Sequence, residues 1–111
     1  MNVQTLLGKK QDDFFALCRT HKVSKLYAFG SLLTDRFDEN RSDIDLLVTV
    51  DINDPVEKGA ALLSLWDGLE SIFERKVDLL TEASIRNPYL RANIEQTRKL
   101  IYDGAGEKIL N

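Results

Sequence analysis

The spacing of apolar positions changes repeatedly along the 111-residue chain, and each change marks an element. Val3, Leu6, Leu7, Phe14, Leu17 and Cys18 recur at helical spacing. The break at Gly8-Lys9-Lys10 predicts one interrupted helix or two short ones, ending near His21. "VSKLYAF", Val23 to Phe29, has the composition and length of a strand, and "DIDLLVTV", Asp43 to Val50, is the clearest strand in the chain. A polar loop joins them. Asp54-Pro55-Val56-Glu57 starts a helix, with Asp as N-cap, Pro at the first helical position and Glu three after the cap. That helix carries Leu62, Leu65, Trp66, Leu69, Ile72 and Phe73 on one face, a core stripe that runs to about Arg75. "KVDLL", Lys76 to Leu80, reads as a short third strand, "NPYLRANIEQT" as a helix with Pro88 in its first turn, and "RKLIYD" as a last strand. The order α-β-β-α-β-α-β predicts an α/β (α+β) domain, a mixed sheet of about four strands packed on helices.

Composition narrows the function classes. The chain, 1–111, is expected to be a single domain with its core over about 23–102 and a loose tail, "GAGEKILN", at 104–111. It has no room for a separate substrate-binding domain. No apolar run approaches the roughly 20 residues of a membrane span, and "MNVQTLLGKK" lacks the pattern of a signal peptide, so a cytoplasmic location is expected. A formal net charge of −3 argues against tight non-specific nucleic-acid binding, which relies on clustered Lys and Arg. Cys18 is the only cysteine, which excludes a disulfide framework and a thiolate zinc cluster; it is expected to be a small core residue. His21, the only histidine, is expected at a helix end on the surface rather than on a metal.

The candidate chemistry lies on the strands. Along "DIDLLVTV" the pleat sends Ile44, Leu46, Val48 and Val50 toward the helices. Asp43 and Asp45 fall on the opposite face, about 7 Å apart near the strand's start. In "KVDLL" the same alternation sends Val77 and Leu79 to the core and Asp78 outward. With the third strand beside the second, three carboxylates converge. At an effective dielectric of about 20, each like pair some 4 Å apart costs on the order of 4 kcal/mol. Protonation would need strongly raised pKa values, and no apolar pocket is evident at a strand end. A hard divalent cation is the simpler offset, and an all-oxygen donor set selects Mg²⁺ or Mn²⁺ over zinc. Gly30-Ser31 ends the first strand, with a short helix expected at Leu32-Leu33. There the glycine lets the backbone approach a phosphate closely, and the serine hydroxyl and following N–H groups can donate to it. Singly, a Gly-Ser pair is a turn, an Asp-x-Asp a strand edge and Asp78 a surface carboxylate. Their alignment on one sheet face points to a metal–nucleotide site.

"FGS" followed by "SDIDLLV" resembles the nucleotidyltransferase fold of the DNA polymerase β superfamily, and more narrowly the minimal nucleotidyltransferases, or MNT proteins. The family pattern is Gly-Ser, a short loop, Asp-x-Asp, and a third carboxylate on a later strand. Here eleven residues, Leu32 to Ser42, separate Ser31 from Asp43, and the resemblance runs from Val23 to about Tyr102. It implies that Asp43 and Asp45 bind two Mg²⁺ ions, that Asp78 helps hold the ion activating the acceptor hydroxyl, and that Gly30 and Ser31 hold the β- and γ-phosphates. The implied reaction is attack of a hydroxyl on the α-phosphorus of a nucleoside triphosphate, ATP foremost, with pyrophosphate leaving. One departure stands out. Many small members place a basic residue directly after Gly-Ser, where this chain has Leu32-Leu33-Thr34-Asp35; the nearest basic residues are Arg36, Arg41 and Lys76, each expected on the solvated surface ahead of the alternative, a contact to the triphosphate.

Templated polymerisation does not fit, because the chain lacks finger and thumb modules and a basic groove. The resemblance implies instead a helical HEPN-type protein partner, with the chain as antitoxin transferring AMP to a tyrosine of the toxin. Two further readings stay open. One is a binding module that neutralises its partner by contact and keeps the metal site as a relic. The other is nucleotidylation of a small hydroxylated molecule such as an antibiotic, which normally requires a further domain. Tyr89, Leu90 and Ile109 suit a partner or homo-oligomer surface as well as they suit core packing.

Overall fold

The computed structural model describes residues 3–30 and 43–106. The broken N-terminal periodicity becomes α1 (Val3–Leu7), one tighter helical turn at Gly8–Lys10, and α2 (Gln11–Thr20). Then follow β1 (Val23–Phe29), β2 (Ile44–Val50), α3 (Pro55–Phe73), β3 (Val77–Leu80), α4 (Pro88–Thr97) and β4 (Lys99–Asp103). The start of α3 forms as its sequence dictates: Asp54 accepts from the Glu57 N–H at 2.9 Å, with Pro55 at the first helical position. Asn87 caps α4 in the same way, accepting from Tyr89 and Leu90. No helix among the described residues is long and apolar enough to cross a membrane.

The strand order is β3-β2-β1-β4. β1 runs antiparallel to both neighbours, while β2 and β3 are parallel, as a pair joined through the crossover helix α3 must be. Ile44, Leu46, Val48, Val50, Val77 and Leu79 face α1, α2 and α3, where Phe14 meets Phe73 and Tyr102 edge-on at 6.2 and 6.3 Å. Cys18 is buried in this core as expected, and burial pushes its thiol up to about 12. Gly68 lets α2 approach α3 closely, because a Cβ there would meet Leu17 Cδ1 at 2.6 Å.

Three details depart from the sequence pattern. The third helix stops at Phe73 rather than near Arg75, because Glu74 turns into the left-handed region at φ 54°. Lys10 Nζ reaches across to the Glu74 carboxylate at 3.0 Å and to the Ile72 carbonyl at 3.4 Å, placing a cation at the helix's negative end. Trp66 lies at the border of the core stripe and keeps 37% of its surface exposed, its indole reaching over β3 instead of inward. Most consequential, the second sheet face is not left to water. Phe29 and Leu47 pack there with Ile85 and Ile94, so α4 covers part of the face that carries the aspartates.

Candidate active site

β2 and β3 bring Asp45 and Asp78 directly side by side, since their Cα atoms are register partners in the parallel ladder. Neighbouring strands are about 4.8 Å apart, and both side chains rise on the same face. Their carboxyls share a hydrogen bond. Asp43 precedes β2, near enough for its charge to act on Asp45. All three aspartates are half-buried.

The glycine that ends β1 completes one wall. Phe29 is the register partner of Asp45, so Gly30 comes out of the strand beside that carboxylate. It has φ 74°, where L-residues with a Cβ are strained. A Cβ at this position would run into Asp45 Oδ2 and lie 3.3 Å from its Cγ. The glycine is thus required twice, for its backbone turn and for the space the carboxylate fills.

This packing has an electrostatic result that corrects a sequence expectation. Asp45 is pushed up to about 6, first by burial and then by the Asp78 charge, the hydrogen bond to Asp78 and the Asp43 charge. The strand end is less open to water than alternation alone suggested, because Gly30 and the cluster around Leu47 crowd it. Below about pH 6 protonation of Asp45 therefore offsets part of the like-charge repulsion in the metal-free protein, and above it the repulsion remains. Among the described residues, no three His, Cys, Asp or Glu side chains stand at ion-holding distances together. The donor set is nevertheless all carboxylate oxygen, on adjacent strands, with a glycine cradle that admits no side chain, and it fits a hard divalent cation.

Ser31, Leu32, Leu33, Arg36 and Arg41 lie outside the described residues. Lys76 is exposed and lines a shallow hollow with Leu63, Trp66, Asp67 and Glu70 at the outer edge of β3. Alternation along the strands did not reveal Arg98, whose guanidinium lies 4.3 Å over the Tyr27 ring on the aspartate-bearing face, with Nη1 3.4 Å from Glu82. Only the proximity of β1 and the end of α4 brings it there. His21 is a helix-end residue, as expected, but it also links two helices. Its Nδ1–H donates to the Leu17 carbonyl at 2.8 Å, which leaves Nε2 to accept from the Ser64 hydroxyl at 2.8 Å.

The family model for the nucleotidyltransferase domain matches residues 15–101, which carry β1, the aspartate strands and α4. The chain belongs to the nucleotidyltransferase domain family. A relative from Methanocaldococcus jannaschii, named as a candidate protein adenylyltransferase, is 40% identical over 82 residues, 74% of this chain and 78% of that one. Among solved structures, a toxin–antitoxin assembly with AMP-PNP aligns with TM-score 0.60 and 26% identity, over 84% of this chain and 73% of the other. An AMPylated HEPN toxin from Shewanella oneidensis bound to its MNT antitoxin aligns with TM-score 0.55 and 22% identity, over 89% and 74%, a likeness of fold. The nucleotidyltransferase fold therefore underlies the four-stranded mixed sheet, and the chain is a nucleotidyltransferase enzyme.

Proposed function

We propose that this nucleotidyltransferase moves AMP from ATP to a tyrosine hydroxyl of a HEPN-type toxin partner and so acts as an antitoxin. The observation that carries the proposal is the register of Asp45 and Asp78 against the positive-φ turn at Gly30. Relatives named for protein adenylylation and a structural neighbour assembled as a toxin–antitoxin pair with an ATP analogue support the transferred group and the class of partner.

Each residue's role follows from its chemistry. Gly30, bare of a side chain, lets the chain run close to the triphosphate, and the Ser31 hydroxyl donates to its β- and γ-phosphates. Asp43, Asp45 and Asp78 would hold two Mg²⁺ ions, with Mn²⁺ as a substitute. Such ions neutralise the charge on the entering and departing oxygens of an in-line displacement. The acceptor oxygen bonds to the α-phosphorus, the bond to the bridging oxygen of the β-phosphate breaks, pyrophosphate leaves, and the hydroxyl proton passes to solvent. Asp45, close to half-protonated near pH 6 without an ion, would bind a cation as the carboxylate, its proton passing to solvent.

The test is incubation with α-labelled ATP and Mg²⁺, with and without the product of the neighbouring gene. Label on a partner tyrosine that disappears with Asp43→Asn or Asp45→Asn is the expected outcome. An unlabelled partner that is neutralised equally well by those variants would replace transfer with contact inhibition.

A further inference from the structure

β3 is a four-residue strand at the sheet's edge, with β2 as its one strand neighbour among the described residues, yet it must present Asp78 to Asp45 in a fixed register. The Ile44 N–H donates to the Lys76 carbonyl at 3.0 Å, so the next residue, Val77, turns its own N–H and C=O away from β2, toward the open edge. Both groups are taken up there by α3. Trp66 Nε1–H donates to the Val77 carbonyl at 2.6 Å, and Glu70 Oε2 accepts from the Val77 N–H at 2.9 Å. Residues 66 and 70 are one helical turn apart and share a face, so one helix grips both polar groups of one strand residue. That residue is the immediate neighbour of Asp78.

We infer that Trp66 and Glu70 are positioning residues for the active site: together they stand in for a missing strand and hold Asp78 in register with Asp45. The inference rests on the assignment of Asp78 to the metal–nucleotide site. It explains why a tryptophan in the core stripe keeps over a third of its surface in water, since its indole N–H is committed to the strand edge. It also gives the Glu70 carboxylate a task that the apolar pattern of α3 did not foreshadow. A strand this short would otherwise fray from its exposed side.

The test uses the full chain and five variants: Trp66→Phe, which keeps a ring but loses the donor; Glu70→Met, which loses the acceptor; these two combined; Glu70→Gln, which keeps an acceptor oxygen; and Asp78→Asn. Three quantities are measured well below each variant's Tm: Mn²⁺ affinity by calorimetry, hydrogen exchange of the Asp78 and Leu80 amides, and AMP transfer. With Trp66→Phe and Glu70→Met combined, Mn²⁺ affinity and transfer should each fall about tenfold and exchange at Asp78 should quicken at least tenfold. Exchange in β1 should stay slow, and Glu70→Gln should stay near wild type. Should the combined variant be unfolded, the single substitutions carry the same expectation at about threefold. Unchanged Mn²⁺ affinity and transfer in these variants, while Asp78→Asn loses both, would reduce the pair to an edge cap and overturn the inference alone. If Asp78→Asn itself loses neither, the site assignment fails and the inference falls with it.

Discussion

Replacing Asp45 by asparagine should make the metal-free protein more stable while removing its activity. Asp45 is raised from an ordinary value of 3.8 to about 6. Between those values the folded state holds a proton that the unfolded chain has lost, so stability falls as pH rises through the window, and the full deficit remains above about pH 6. Two units and a fraction correspond to about 3 kcal/mol at face value. Asp45 is only half-buried, and solvent screening brings the usable figure to about 1–2 kcal/mol. Asparagine has the same shape, carries no charge, and can donate from its amide to the Asp78 carboxylate. In EDTA at pH 7.5, calorimetry or thermal circular dichroism should show Asp45→Asn melting roughly 5–10 °C above wild type. The gain should vanish near pH 4, where wild-type Asp45 is protonated in the folded state. With Mg²⁺ the order should close up or reverse, since the ion stabilises only the protein that binds it. A variant no more stable than wild type at pH 7.5, or one whose advantage persists unchanged at pH 4, would show that Asp45 is not held under electrostatic strain.

Gly30→Ala should lose about 1–3 kcal/mol in urea unfolding, from the positive φ and the encounter with Asp45, and should lower AMP transfer at least tenfold by displacing that carboxylate. Ile94→Ala opens the small cluster between α4 and the sheet and should cost about 2–4 kcal/mol, read by the same unfolding curve. Cys18, buried with its thiol pushed up to about 12, should not react with a thiol reagent at pH 8 until the chain is unfolded; rapid labelling of the native protein would contradict its place in the core.

Local patterns carried much of the fold. Asp54-Pro55 announced α3, Asn87-Pro88 announced α4, and the alternation of "DIDLLVTV" sorted Ile44 from Asp45 before any neighbour was known. The convergence of Asp45 with Asp78 was legible for the same reason: two short strands with one acidic residue each on the outer face need only parallel neighbourhood to meet. What alternation could not supply is set by tertiary contact. Leu47 and Phe29 are apolar residues on the aspartate-bearing face, a mark that this face was partly covered, but which helix covers it depends on where α4 folds back. The spacing of Trp66 fits the core stripe, whereas its indole N–H bonds to an edge carbonyl eleven residues away. The raised pKa of Asp45 likewise depends on packing by Gly30, which no periodicity encodes.

The central claim is that the three aspartates form one metal-dependent centre for nucleotidyl transfer. It is tested most directly by following labelled AMP from α-labelled ATP to the partner protein in wild type, Asp43→Asn, Asp45→Asn and Asp78→Asn, each titrated with Mg²⁺ and with Mn²⁺. Transfer that depends on the cation in wild type and falls at least a hundredfold in each variant, with all three still folded, is the result predicted. Transfer that survives loss of Asp45 or of the cation would contradict it.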